Sequence, residues 1–257
     1  MVDQGCFEIS RLSIRLGLGK HAFTAVENVS LSNQPGEFIC ILGPSGCGKS
    51  TLLSTMAGHV ASSQGAIKLD GQLITKPNAD IGLVFQQHSL FPWQRVIDNV
   101  AFGLKMRGIN KSERHRQARE MLELVGLSGF EQHYPVQLSG GMQQRVEIAR
   151  VLINTPKVIL MDEPFGALDA QTRLSMQQFL LSVWEGIKTS VIFITHDIEE
   201  ALFLADRLLI MSQRPGRFIE EIPLDFARPR TTELLATPRF VQLKQHCLTV
   251  LQSQNHL

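Results

Sequence analysis

The stretch GPSGCGKS, residues 43–50, decides how this chain folds. It fits G-x-x-x-x-G-K-[ST], with Gly43, Gly48, Lys49 and Ser50 at the fixed places. The apolar run Phe38–Leu42 before it predicts a buried strand. Thr51–Ala57 after it predicts a helix, closed by Gly58. Strand, loop and helix form the setting in which such a loop cradles phosphate. Glycines at 43, 46 and 48 are expected at positive φ, which turns successive N–H groups inward toward phosphate oxygens. The following helix adds the positive end of its dipole. Lys49 would place its charge on the β- and γ-phosphates, and Ser50 would offer a hydroxyl to Mg²⁺. The bland alternative, a Gly/Ser-rich turn that contains a lysine, leaves the flanking strand and helix unexplained.

Working outward, 257 residues suffice for one large domain or two small ones. The 25 Lys and Arg against 24 Asp and Glu leave a net charge of +1, which argues against a nucleic-acid or membrane-surface partner bound by charge. Cysteines 6, 40, 47 and 247 form no C-x-x-C pair and suit a reducing compartment better than a disulfide framework or a zinc site. The first residues lack a signal-peptide pattern, and the richest apolar stretch, Ala201–Ala205, runs into Asp206 and Arg207. The expectation is a cytoplasmic chain that meets any membrane through a partner.

The pattern of elements predicts an α/β core. Strands are expected at Phe7–Ile14, Ala25–Leu31, Gly65–Gly71, Ile81–Phe85, Lys157–Met161, Ser190–Ile194 and Asp206–Met211. Between about Ser89 and Arg150 the spacing turns helical, over Val96–Met106 and Lys111–Val125. The expected organisation is a discontinuous α/β core (7–86 and 151–222), an inserted helical subdomain (87–150) and a tail (223–257) with a peripheral helix over Arg239–Leu251.

Candidate chemistry gathers at strand ends, where ligands of open α/β sheets bind. Asp162 ends one strand and is the expected Mg²⁺-associated carboxylate beside Ser50. Glu163 follows as the candidate general base for the attacking water. Alone, D-E-P reads as an acidic turn; beside the 43–50 loop it reads as catalytic. His196 ends the next strand and can reach the γ-phosphate side. Gln86 ends another, where its amide could touch Mg²⁺ or the water. Ser139 is a good N-cap for the helix that follows, and Gly140 and Gly141 permit close approach of an anion at some helix-propensity cost. This second anion site, far in sequence from a single loop, points to two copies facing each other and sharing nucleotides.

Taken together, these residues resemble the ATP-binding subunit of an ATP-binding-cassette (ABC) transporter over roughly 7–222, with the whole ABC domain at about 7–235. The phosphate loop, Gln86, LSGG at 138–141, the MDEP carboxylates, Ala167-Leu168-Asp169 and His196 occur in family order. The resemblance implies a P-loop NTPase (RecA-like) core with the ABC ATPase fold. It implies ATP and Mg²⁺ as cofactors, with Pro44, Ser45, Gly46, Cys47, Gly48 and Thr51 joining Gly43, Lys49 and Ser50 around the nucleotide. It also implies a head-to-tail homodimer in which Ser139–Gly141 of one copy meet the nucleotide of the other and Asp169 reaches across. Integral membrane permease subunits and a periplasmic or surface substrate-binding protein complete the implied set, with the chain peripheral on the cytoplasmic face of the inner membrane.

Two departures stand out. The signature reads LSGGM, with Met142 in place of glutamine, at little expected cost. The aromatic on which the family stacks adenine is also missing: Leu16 occupies the usual place, with Phe23 as a nearby substitute. Loss of stacking on the order of 1–3 kcal/mol predicts weak base selectivity. Cys47, near Lys49 and a helix start, is expected either as a thiol of lowered pKa protected by ATP or as a small residue filling a tight loop.

Leu90–Val96, Asp98–Leu104 and Ser212–Arg217 resemble the nitrate, taurine and aliphatic sulfonate importers, and Pro223–Arg228 resembles the taurine branch. Phe91 and Trp93 either line a groove for the membrane partner or pack the subdomain core. Importers of nitrate, bicarbonate or pyrimidine precursors and lipid or lipoprotein exporters are the neighbouring readings. A chromosome or DNA-repair ATPase would need a long coiled coil or a basic face. A translation-factor ATPase would carry two cassettes, and a small-molecule kinase leaves LSGG unexplained.

Overall fold

The computed structural model describes residues 5–86 and 89–254. Two sheets carry the fold. The smaller is antiparallel and holds β1 (Phe7–Leu16), β2 (Phe23–Ser32), β4 (Gln64–Leu69) and β5 (Gln72–Leu73) in the order β2-β1-β4-β5. The larger runs β10-β9-β3-β8-β7-β6. It comprises β3 (Phe38–Leu42), β6 (Ile81–Val84), β7 (Val158–Asp162), β8 (Ser190–Thr195), β9 (Arg207–Met211) and β10 (Phe218–Pro223). All neighbours in it are parallel except β10 on β9.

Strand β3 shows why the sheet forms where it does. All five of its residues are buried, and alternate side chains serve different cores. Phe38, Cys40 and Leu42 face α5 (Gly140–Leu152), α6 (Ala170–Ile187), α7 (Ile198–Leu204) and α8 (Pro238–Ser253). Ile39 and Ile41 face the smaller sheet and α1 (Lys49–Met56). A continuous apolar run of this kind suits a strand covered on both sides.

A third apolar core belongs to the helices alone. Val96, Val100, Leu104, Leu122 and Val146 meet in it, drawn from α2 (Val96–Val100), α3 (Phe102–Met106), α4 (Lys111–Leu124) and α5. The single helix expected over Val96–Met106 is broken at Ala101. Buried Asn99 accepts from Phe91 N and donates to the carbonyls of Phe91 and Gln94, which pins the first piece to the preceding loop. A Cβ on Gly103 would come within 2.0 Å of Asn154 Oδ1, so the second piece is pressed against the end of α5. Both pieces still deliver their apolar residues to one core, and the periodicity therefore hides the break.

Register sets the functional edge. Leu42 pairs with Thr195, Asp162 with Ile194 and Val84 with Met161, so four parallel strands end at one level. The tail helix, expected over Arg239–Leu251, packs Phe240, Leu243 and Cys247 into the core beneath α7.

Candidate functional site

The loop after β3 wraps the start of α1, with Gly46 at φ +78° and Gly48 at φ +110°. Gly43 differs from the expectation: its φ is not positive, and what favours glycine there is tight space. A Cβ at 43 would lie 3.0 Å from Met211 O and 3.1 Å from Cys47 Sγ. Lys49 is 5% exposed, and its Nζ donates to the carbonyls of Gly43 (2.8 Å) and Pro44 (3.0 Å), held at the loop's centre. Ser45, Gly46, Gly48, Lys49, Ser50 and Thr51 line one cleft of about 290 Å³.

The strand ends converge on that cleft. Ser50 Oγ donates to Asp162 Oδ1 at 3.0 Å. Burial pushes the Asp162 carboxyl above its ordinary range, opposed by that hydrogen bond. Glu163 lies at the cleft wall, with Oε1 3.7 Å from Lys49 Nζ and Oε2 2.8 Å from His196 Nδ1. Gln86 Nε2 stands 3.5 Å from the same Oε2. Glu163 itself is held in the left-handed region at φ +43°, its N–H donating to Ile194 O at 3.0 Å and its carbonyl accepting from Gly166 N at 3.1 Å. A non-glycine residue there costs on the order of 1–3 kcal/mol, a cost that clusters at functional sites. The backbone thus aims a carboxylate between a lysine, a histidine and an amide.

Ser139, Gly140, Gly141 and Asp169 stand away from this cleft and beside one another. Ser139 caps α5, accepting from Met142 N at 3.4 Å. Asp169 caps α6, accepting from Thr172 N at 3.0 Å, and hydrogen bonds from Thr172 hold its carboxyl below the ordinary range. A Cβ on Gly140 would meet Leu168, and one on Gly141 would meet Thr172 at 3.2 Å. The two glycines therefore let α5 approach α6, while Ser139 and Gly140 remain exposed at the helix start.

Cys47 corrects the reactive-thiol expectation. It is 1% exposed, and burial raises its pKa, outweighing the charge of nearby Lys49. Sequence reasoning gave no site role to Arg214 and did not single out Arg173. Arg214 lines the cleft mouth with Leu16, Phe23 and Ala25. Arg173 donates to Asp197 Oδ2 at 3.2 Å and to Leu168 O at 3.0 Å, joining the segment before Asp169 to that after His196. The Arg214–Gly46 and Arg173–Asp197 contacts join segments distant in chain order; Arg214 falls within the motif Ser212–Arg217, and Arg173 within no motif.

Phe91 packs on Phe102 with centroids 4.7 Å apart and the rings tilted by 55°, whereas Trp93 is 72% exposed. Phe91 joins Ile81, Leu83, Phe85, Phe102 and Met106 in lining a groove of about 590 Å³ beside β6, whereas Trp93 lies outside it, with Gln94, Arg95 and Tyr134.

The family profile described as ABC transporter matches residues 26–166, more than half of the chain. The chain belongs to the ABC transporter family. Among curated proteins, this ABC cassette is 49% identical over 239 residues to the taurine import ATP-binding protein TauB of Rhizobium johnstonii, covering 91% of each. It is 47% identical to TauB of Escherichia coli, covering 88% of this chain and 90% of that protein. An uncharacterised ABC transporter ATP-binding protein of Methanocaldococcus jannaschii is 46% identical, over 90% of this chain and 85% of the relative. Among solved structures, the dimeric post-hydrolysis state of the ATP-binding cassette MJ0796 bound to ADP and Pi matches with a TM-score of 0.74 and 33% identity, over 86% of this chain and all of that one. The chain is thus an ATP-binding subunit with the ABC ATPase fold, and its activity is ATP hydrolysis coupled to transport. No helix among the described residues is long and apolar enough to cross a membrane.

Proposed function

We propose that this chain is the ATP-hydrolysing subunit of an importer for taurine or a related aliphatic sulfonate. It works as a homodimer on the cytoplasmic face of the inner membrane, with integral permease subunits and a substrate-binding protein. The observation that carries the hydrolytic reading is the Glu163 carboxylate, held between Lys49, His196 and Gln86 beside the phosphate loop. The cargo reading rests on the TauB relatives, which are named for taurine import, and on Leu90–Val96, Ser212–Arg217 and Pro223–Arg228.

Each residue has a stated part. Loop N–H groups and Lys49 hold the phosphates. Glu163 takes the proton of the attacking water, with His196 fixing its orientation and Gln86 its third contact. Ser50 Oγ and Asp162 Oδ1 are hard oxygen donors side by side, and they fit Mg²⁺, which keeps much of its shell as water and phosphate oxygen. Mg²⁺, when bound, supplies neutralisation of the charge between the β- and γ-phosphates. Gln86 is the third candidate ligand, reached by turning its amide from Glu163.

Ser139, Gly140, Gly141 and Asp169 act on the partner copy's nucleotide. The exposure of Ser139, Gly140 and Asp169, and the place of all four outside the chain's own cleft, support that reading. The division into a core (7–86 and 151–222), a helical subdomain (87–150) and a tail (223–257) is supported by the helices' separate apolar core. The groove beside Phe85 and Met106 is the seat for the permease. Reconstitution with the cognate membrane subunits and binding protein tests the cargo. Taurine should stimulate ATP turnover; stimulation by nitrate with none by taurine would contradict it.

A further inference from the structure

The turn between β9 and β10 is bound to the nucleotide site more tightly than a surface turn requires. Gly216 N donates to Ala25 O and Glu27 N donates to Gly216 O, both at 2.9 Å, so the turn is stitched onto β2. A Cβ on Gly216 would lie 2.4 Å from Cys47 O, placing the turn directly against the phosphate loop. Ser212 Oγ braces it from within, its one proton shared between Gln213 O and Pro215 O while the oxygen accepts from Arg217 N. Arg217 pairs with Glu27 on β2.

This framework aims Arg214 into the cleft mouth. Its guanidinium carbon lies 4.7 Å from the centroid of the Phe23 ring, and one N–H donates to Gly46 O at 3.1 Å. Phe23 is 40% exposed, and Leu16 beside it offers no ring. The cleft thus has phosphate-binding groups at one end and a stacked arginine and phenylalanine at the other.

We propose that Arg214 is the nucleobase-binding residue of this cassette: the base stacks on the guanidinium plane, which Phe23 backs from the other side. The inference rests on the nucleotide lying along the 43–51 loop. A guanidinium is planar and weakly hydrated, and it stacks well on π-systems. Every base has such a face, so stacking tolerates any base. The N–H groups lie in the guanidinium plane, one of them engaged with Gly46 O of the loop, so the face offered to the base carries no donor aimed at the amino and carbonyl edges that distinguish adenine from guanine. Nucleotide choice at this site is therefore loose between purines.

Calorimetric titration with ATP, GTP and inorganic tripolyphosphate, each with Mg²⁺, tests this on wild type, Arg214→Ala and Arg214→Lys. Wild type should bind ATP and GTP within about threefold of each other, since stacking does not read the base edge. Arg214→Ala should lose roughly fivefold or more for both nucleotides, with tripolyphosphate unchanged within about twofold. Arg214→Lys, which keeps charge without the plane, should behave as the alanine variant. Unchanged ATP affinity in Arg214→Ala would overturn the proposal. So would an equal loss for tripolyphosphate, which would assign Arg214 to the phosphates through Gly46, or a strong preference of wild type for ATP. Failure of wild type to bind tripolyphosphate or either nucleotide would instead remove the nucleotide site itself.

Discussion

His196 Nδ1 lies 2.8 Å from Glu163 Oε2, joining the ends of two neighbouring strands. The contact fixes a carboxylate whose backbone is already committed at φ +43°. His196→Ala should lower kcat about tenfold or more, because a general base must be oriented as well as present. Glu163→Gln should lower it by about 10²–10⁴. ATP affinity should hold within about twofold in both. A His196→Ala enzyme with full turnover would show that the contact has no catalytic part.

Asp162 gives a pH-dependent prediction. Burial raises its folded-state pKa above the ordinary value, so the nucleotide-free fold binds its proton more tightly than the unfolded chain does. Its contribution to stability therefore falls as pH rises from the ordinary carboxylate range through the raised value. Asp162→Asn should melt higher than wild type without ligand, by about 2 °C or more, and the gap should grow from pH 4 to pH 7. The same variant should lose the stabilisation that Mg²⁺ adds to bound ATP. Scanning calorimetry across that range reads both, and a variant that melts lower than wild type at pH 7 contradicts the argument.

Arg173 connects two functional segments through Leu168 O and Asp197, whose other oxygen caps α7 by accepting from Glu200 N. Arg173→Ala should lower kcat about fivefold or more with KM within about twofold, the split expected when orientation is lost and binding kept. Arg173→Lys should recover part of the loss through Asp197. A rise in KM at unchanged kcat would assign Arg173 to binding instead.

Cys47 should resist alkylation in the native chain at neutral pH, because it is buried and its thiol pKa is raised. Peptide mapping after iodoacetamide should find it unmodified with or without ATP, and labelled only after unfolding. Rapid labelling that ATP suppresses would restore the reactive-thiol reading.

The sequence made the Lys49 loop, the Asp162 and His196 strand ends and the Ser139 helix cap legible. Each follows from a local pattern, an apolar run that ends in a polar residue or a capping residue before a helical spacing. The left-handed Glu163 was not legible, because its strain is stabilised by Ile194 and Gly166 through contacts the pattern does not encode. Arg214 was invisible for another reason: its partner Gly46 is 168 residues away. Gly43 shows the limit of a motif rule, since the loop pattern names the residue while its cause is the nearness of Met211 and Cys47.

The most direct test of a shared nucleotide is the association state of Glu163→Gln with ATP and Mg²⁺, set against Glu163→Gln with Ser139→Ala added. Size-exclusion with light scattering should show the single variant as a dimer and the double variant as a monomer that still binds ATP. Dimers of equal stability in both would contradict a nucleotide held between Lys49 of one copy and Ser139 of the other.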